Sequence, residues 1–209
     1  MNTREITMKI ALIGASGQAG SRILNELASR GHTITAIARS ADKIILTRGV
    51  IPAAGDINDP KALAQLLAGH DVVVSAVHFS ASDPDKLIGA VKASGAKRYC
   101  VVGGAGSLEV SPGVKVVDTP DFPEIYKTEA QAGVAFLEKL RAQDDLNWTF
   151  LSPSAEFTAG KRTGTFRLGR DQLLTSENGS SISFEDFAIA MADEIENPAH
   201  ARQRFTVGY

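Results

Sequence analysis

Gly14, Gly17 and Gly20 recur at every third position of GASGQAG. A strand-forming run, Lys9 to Ile13, precedes them, and an amphipathic pattern follows with Ile23, Leu24, Leu27 and Ala28 on one face. A glycine at a strand exit can take the angles of a sharp turn. Gly17 leaves no Cβ between the main chain and an approaching group, and Gly20 lets the helix lie close to its strand. The chemistry available at such a corner is anion binding, because the first N–H groups of a helix lack internal partners and its dipole is positive at that end. A pyrophosphate cradled by Gly14, Ser16, Gly17, Gln18, Ala19 and Gly20 fits, so the pattern reads as a dinucleotide-binding turn. A merely flexible turn would need neither the buried strand nor the amphipathic helix.

Arg39 and Ser40 close the second strand, His32 to Ala38. An acidic residue about 20 positions past the glycines holds ribose hydroxyls, whereas an Arg there accommodates a 2′-phosphate. Arg39 therefore favours NADP(H) over NAD(H), set against the plainer role of a solvated surface Arg. Asp56 and Ile57 follow the third strand, Gly49 to Ala54. Asp56 suits either an adenine amino group or a turn after Gly55. Ser75, Ala76 and Val77 end the apolar run DVVVSAV and are expected beside the cofactor. His78 comes next, but with no carboxylate or nucleophile nearby in sequence it reads as a loop or pocket-wall residue.

The elements that position these residues alternate strand and helix. Asp59 caps a helix carrying Leu63, Leu66 and Leu67, with Pro60 in its first turn, and Asp83 to Gly95 repeats the helical pattern. Arg98 to Val102 forms a fifth strand. Such alternation predicts an α/β fold, a doubly wound parallel sheet of Rossmann-like type, and right-handed crossovers gather the strand carboxyl ends on one edge. Gly14, Arg39, Asp56, Ser75 and Gly103 converge there. The Gly- and Pro-rich stretch 103–123 contains Leu108, Val110, Val114, Val116 and Val117, which predicts a folded loop. A long helix from Glu124 to about Gln143 and a sixth strand, Asn147 to Ser152 closed by Pro153, complete the alternation. Beyond it, two strands are expected around Thr165 to Leu174, a helix capped by Ser183 and Asp186, and a last strand from Arg204 to Val207. The expectation is one domain over 1–209, with 153–209 forming most of a small C-terminal lobe over the crevice.

The 209 residues carry a formal net charge of -2 and are 44% hydrophobic, which points away from nucleic acid and from an acidic tail. No apolar stretch approaches the roughly 18 residues needed to span a bilayer, and the N-terminus lacks a basic segment followed by an apolar run. The cytoplasm is the expected location, with no membrane partner. Cys100 is the only cysteine, so no internal disulfide, cysteine-based metal cluster or metal site is expected.

GASGQAG after the first strand, Arg39 after the second, GD at 55 and 56, VVGGAGSLEV from 101, NWTFLSPSAEF from 147 and SFEDFAIAMADEIENP near the end are shared features of one group. The whole chain resembles the atypical short-chain dehydrogenase/reductases, specifically the NAD(P)H-binding group labelled NADH-flavin reductase and akin to flavin/biliverdin reductase and NmrA-like proteins. The resemblance implies NADP(H) as cofactor, a flavin, quinone or similar flat acceptor as small-molecule partner, and a monomer or homodimer. It also places Gly103, Lys127 and Pro153 beside the cofactor and makes Ser107, Tyr126 and Lys127 the candidate catalytic residues.

The chain departs from the wider superfamily in one respect. A Tyr and Lys four apart on a helix normally share one face, whereas Tyr126 is followed directly by Lys127, and position 130 is Ala. The usual proton relay cannot form. Hydride transfer to a flavin needs no dedicated acid, so positioning carries that reaction. The same absence suits a non-catalytic NADP(H)-binding sensor of the NmrA-like type. A sugar-nucleotide epimerase or dehydratase is weaker, since it relies on the relay and on a larger C-terminal domain.

Overall fold

The computed structural model describes residues 7–209. In chain order the sheet and its helices are β1 (Lys9–Ile13), α1 (Gln18–Ser29), β2 (Thr33–Ala38), β3 (Val50–Ala54), α2 (Pro60–Leu67), β4 (Val72–Ser75), α3 (Pro84–Ala93) and β5 (Arg98–Val102). The hairpin β6 (Glu109–Ser111) and β7 (Val114–Lys115) then leads to α4 (Glu124–Arg141) and β8 (Trp148–Pro153). The remainder contains β9 (Glu156–Thr158), β10 (Arg167–Gly169), β11 (Ser181–Ser183), α5 (Phe184–Glu196) and β12 (Gln203–Gly208).

Eight strands form one sheet in the order β10-β12-β8-β5-β4-β1-β2-β3, parallel throughout except for the antiparallel β10. The fold is the expected Rossmann-like doubly wound sheet. β4 and β5 are buried along their whole length, because helices cover both faces and leave no solvent side for polar residues. On one face α1 and α5 bury Ile23, Leu27, Phe187 and Met191; on the other, α2, α3 and α4 bury Leu63, Leu87, Phe136 and Leu137. Each buried aliphatic or aromatic side chain contributes about 1.5–3 kcal/mol of transfer free energy. The expected caps form: Asp59 accepts from Ala62 N at 3.0 Å, Asp83 from Asp85 N at 2.9 Å and Ser183 from Asp186 N at 3.0 Å.

The region after Pro153 differs from expectation. β12 and α5 belong to the main sheet and its helical cover, so much of 153–209 completes the sheet. Of the two strands expected around Thr165 to Leu174, only β10 joins it. The other half turns away to pair with Glu109, whose N–H donates to Asp171 O at 2.8 Å and whose carbonyl accepts from Leu173 N at 2.9 Å. The chain standing over the carboxyl edge is the stretch 154–183, held by a parallel pairing of β9 with β11. Its anchor is the buried Asp186, which accepts from Thr163 N at 2.8 Å, Gly164 N at 2.9 Å and the Tyr209 hydroxyl at 2.7 Å. The stretch 103–123 is folded, as its apolar residues predict, with Leu108 and Val117 buried, although Val110 and Val114 stay exposed.

Candidate functional site

The strand order reverses between β1 and β4, and the parallel register brings Ile13 level with Ile37 and Ser75, and Ser75 level with Val101. The carboxyl ends therefore open onto one crevice at the topological switch point. Gly14 leaves β1 with φ +82°, and a Cβ there would press into the Ala76 carbonyl oxygen at the end of β4. A Cβ on Gly20 would collide with the Gly14 carbonyl, so the start of α1 lies directly on the turn. Gly17 donates to that carbonyl at 3.0 Å, and a Cβ on Gly17 would sit 3.3 Å from it.

Gly17 is the N-cap of α1 and supplies no side-chain acceptor; the first turn holds no acidic residue. Among the described residues the N–H groups of Gln18, Ala19 and Gly20 have no protein acceptor. Ser16, Gly17 and Gln18 are exposed and Ala19 is half-buried, leaving the turn open to a ligand. Three unpaired donors and a positive dipole end fit a phosphate group. Arg39, one residue past β2, is exposed and makes no ion pair or side-chain hydrogen bond among the described residues. Its guanidinium is free to take a second anionic group, with Ser40 beside it.

Other predicted residues are placed differently. The Ser75 hydroxyl is buried against the Tyr99 hydroxyl at 2.8 Å, so this side chain turns into the core beneath α2, α3 and α4, and only Ala76 and Val77 border the crevice. Burial pushes the Tyr99 phenol well above its ordinary value, more than the Ser75 bond lowers it. Asp56 accepts from Asn58 N at 2.8 Å and Asn58 Nδ2 at 3.0 Å, which gives one oxygen the turn-forming role and leaves the other exposed. Ile57 packs against the core beneath α2, α3 and α4. Gly103 is held by Leu151 O at 2.8 Å, and a Cβ there would strike the Phe150 ring. Pro153 ends β8 fully within the sheet. Ser107 is buried, and its Oγ accepts from Arg204 Nη1 at 3.2 Å while Arg204 Nη2 donates to Asp171 at 2.6 Å.

On α4, Tyr126 is exposed and Lys127 Nζ pairs with Glu124 Oε2 at 3.1 Å. Adjacent residues point about 100° apart on a helix, so these two share no face. Ala130, where a superfamily lysine would stand, packs on Gly106, bringing α4 close to the loop after β5.

A residue with no signal in the sequence completes this side of the crevice. Glu129 accepts from Phe79 N at 2.7 Å, Ser80 N at 2.9 Å and Ser80 Oγ at 2.5 Å, and its Oε1 lies 3.5 Å from His78 Nδ1. Burial alone would raise its carboxyl pKa, but the bonds from Ser80 and Phe79 and the nearby His78 hold it below the usual carboxylate range. The carboxylate missing near His78 in sequence thus comes from α4, 51 positions on, a distance that no local pattern spans. A cavity of about 440 Å³ lies at the opposite, amino edge of the sheet, lined by Asp71, Lys97, Arg98 and Asn147, and contains none of the crevice residues.

The profile of a family described as NAD(P)H-binding matches residues 14–198, a span that runs from the turn glycine to just past the end of α5. The chain belongs to this NAD(P)H-binding family. Solved structures of relatives cover almost the whole chain. A "putative exported protein" from Burkholderia pseudomallei is 44% identical, with TM-score 0.88, over 97% of this chain and 100% of that one. A "putative epimerase" from Bacteroides thetaiotaomicron is 37% identical, with TM-score 0.92, over 98% of each. A "putative NADH-flavin reductase" from Streptococcus pneumoniae is 38% identical, with TM-score 0.84, over 96% of this chain and 99% of that one. Among the described residues no helix is long and apolar enough to cross a membrane, and no group of three or more His, Cys, Asp or Glu could hold a metal ion.

Proposed function

We propose that this chain is an NADP(H)-dependent reductase that passes a hydride to a flavin, a quinone or another flat conjugated acceptor. The observation that carries the reading is the pairing of unsatisfied N–H groups at Gln18, Ala19 and Gly20 with an uncommitted Arg39 across one crevice. The bound cofactor supplies the hydride. The chain's residues do the rest: the α1 turn holds the pyrophosphate, Arg39 and Ser40 take the 2′-phosphate, and Asp56 and Ile57 border the adenine. Ala76, Val77, Gly103 and Pro153 wall the reactive end, with Ser107 and Lys127 as neighbouring polar groups.

The name of the pneumococcal relative supports a flavin as acceptor. The name of the Bacteroides relative points to epimerase chemistry, but that requires proton relays, and Tyr126 and Lys127 diverge on α4. Hydride transfer between stacked rings depends mainly on orientation and tolerates that divergence. The reading places the protein in the cytoplasm, as a monomer or homodimer.

Steady-state oxidation of NADPH with FMN, riboflavin and quinones tests the proposal. Turnover well above the uncatalysed rate is expected with at least one of them. Tight NADP(H) binding with no turnover would favour a redox sensor. Absence of nicotinamide nucleotide binding by calorimetry would end both readings.

A further inference from the structure

The loop after β4 runs along the crevice from Ala76, and its side chains alternate in fate. Val77 lies against the Gly14 turn, His78 faces solvent with 85% of its side chain exposed, and Phe79 is buried against Phe136 and Phe150. A buried aromatic on one side and a packed turn on the other give His78 a fixed backbone position at the rim. Glu129 grips the same loop through the N–H groups of Phe79 and Ser80, which ties the loop to α4. Among the described residues Glu129 is the charged group within ion-pair distance of His78; on the same loop the Ser80 hydroxyl is donated to Glu129, and Asp83 is taken up in capping α3.

We infer that His78 is the proton donor to the acceptor, oriented by Glu129 as a positioning residue, and that the acceptor is of the quinone or conjugated-carbonyl class. The assignment rests on the proposed reductase function and narrows its substrate. Glu129 Oε1 lies 3.5 Å from Nδ1, which leaves Nε2 turned to the exposed side. The hydride pair adds to the conjugated ring and the reduced dinucleotide is oxidised. Negative charge develops on the carbonyl oxygen, which takes the proton from Nε2; an O–H bond forms and an N–H bond breaks. Solvent then reprotonates the exposed ring. One hydride and one proton balance the reduction. A flavin spreads the developing charge over its ring system and draws a proton from water, so it gains little from such a donor. General acid catalysis typically contributes 10²–10⁴-fold, which suits a group placed for oxygen protonation.

The test compares wild type and His78→Gln with a naphthoquinone and with FMN, in parallel with NADP+ binding by calorimetry. For the variant, kcat with the quinone is expected to fall about hundredfold or more, while kcat with FMN and NADP+ affinity change less than about threefold. Glu129→Gln alone should lower the quinone rate and spare the FMN rate, and adding Glu129→Gln to His78→Gln should cost nothing further, because Glu129 acts through His78. Equal losses with both acceptors, an unchanged quinone rate in His78→Gln, or a further loss in the double variant would overturn the assignment and leave the reductase reading standing. No turnover of either acceptor by wild type would overturn both.

Discussion

At the scale of single residues, Gly14 and Gly17 differ in what they protect. At Gly14 the backbone is left-handed and a Cβ would press into Ala76, so Gly14→Ala strains the turn itself and should lower both stability and cofactor binding. At Gly17 φ is -76° and the nearest atom to a Cβ is 3.3 Å away, so the fold can accept Ala while the phosphate cannot approach. Gly17→Ala should therefore keep its thermal midpoint within a few degrees and lose at least tenfold in NADPH affinity, read by calorimetry alongside a melting curve. Arg39→Asp should weaken NADPH ten- to hundredfold and NADH far less, since a charge-assisted contact to a 2′-phosphate is worth about 1.5–3 kcal/mol. Equal losses for both nucleotides would remove the 2′-phosphate assignment.

Among the elements, α5 ties the sheet together through charge as well as through its apolar face. Glu194 on α5 meets Arg98 on β5 at 2.5 Å, with both residues about 95% buried, and also accepts from His200 N at 3.0 Å. Arg98 Nη2 donates further to Thr149 on β8 at 3.1 Å, so one buried pair spans two strands and a helix. Removing one partner leaves the other charge stranded in the interior, and Glu194→Ala should cost about 3–5 kcal/mol in urea denaturation. The double variant Arg98→Met with Glu194→Met should lose less than the single, because no charge remains unpaired. A single variant that denatures like wild type would show that water reaches the pair. On the opposite helical layer, small residues set the geometry: Ala130 against Gly106 and Gly133 against Phe79 let α4 settle onto the loops that follow β4 and β5, which places Glu129 over His78.

For the whole molecule, the carboxylates that clamp the stretch 154–183 and the crevice loop govern acid stability. Glu26, Glu185, Asp186 and Glu129 are each opposed by burial, yet hydrogen bonds, joined by neighbouring cations at all but Asp186, hold the four below the usual carboxylate range. Glu26 lies between Arg162 and Arg30, at 2.9 Å from each. In the unfolded chain these groups recover ordinary values and bind protons more readily, so their contribution is complete above about pH 5 and is lost as pH falls through the lowered native values. Urea midpoints should be flat from pH 6 to 7 and drop below about pH 4, with Glu26→Gln flattening part of the drop. Sequence alone determined the Rossmann-like alternation, the α1 turn, Arg39 at the second strand's end and the loss of the Tyr126/Lys127 relay, because each rests on periodicity or on spacing within one element. Only the tertiary structure decided that Ser75 turns into the core toward Tyr99, that Ser107 is held by Arg204, that β12 joins the main sheet and α5 covers it, and that Glu129 reaches His78. Those contacts join residues 24 to 97 positions apart, and a side chain's partner across such distances is set by how layers pack, which local pattern does not encode.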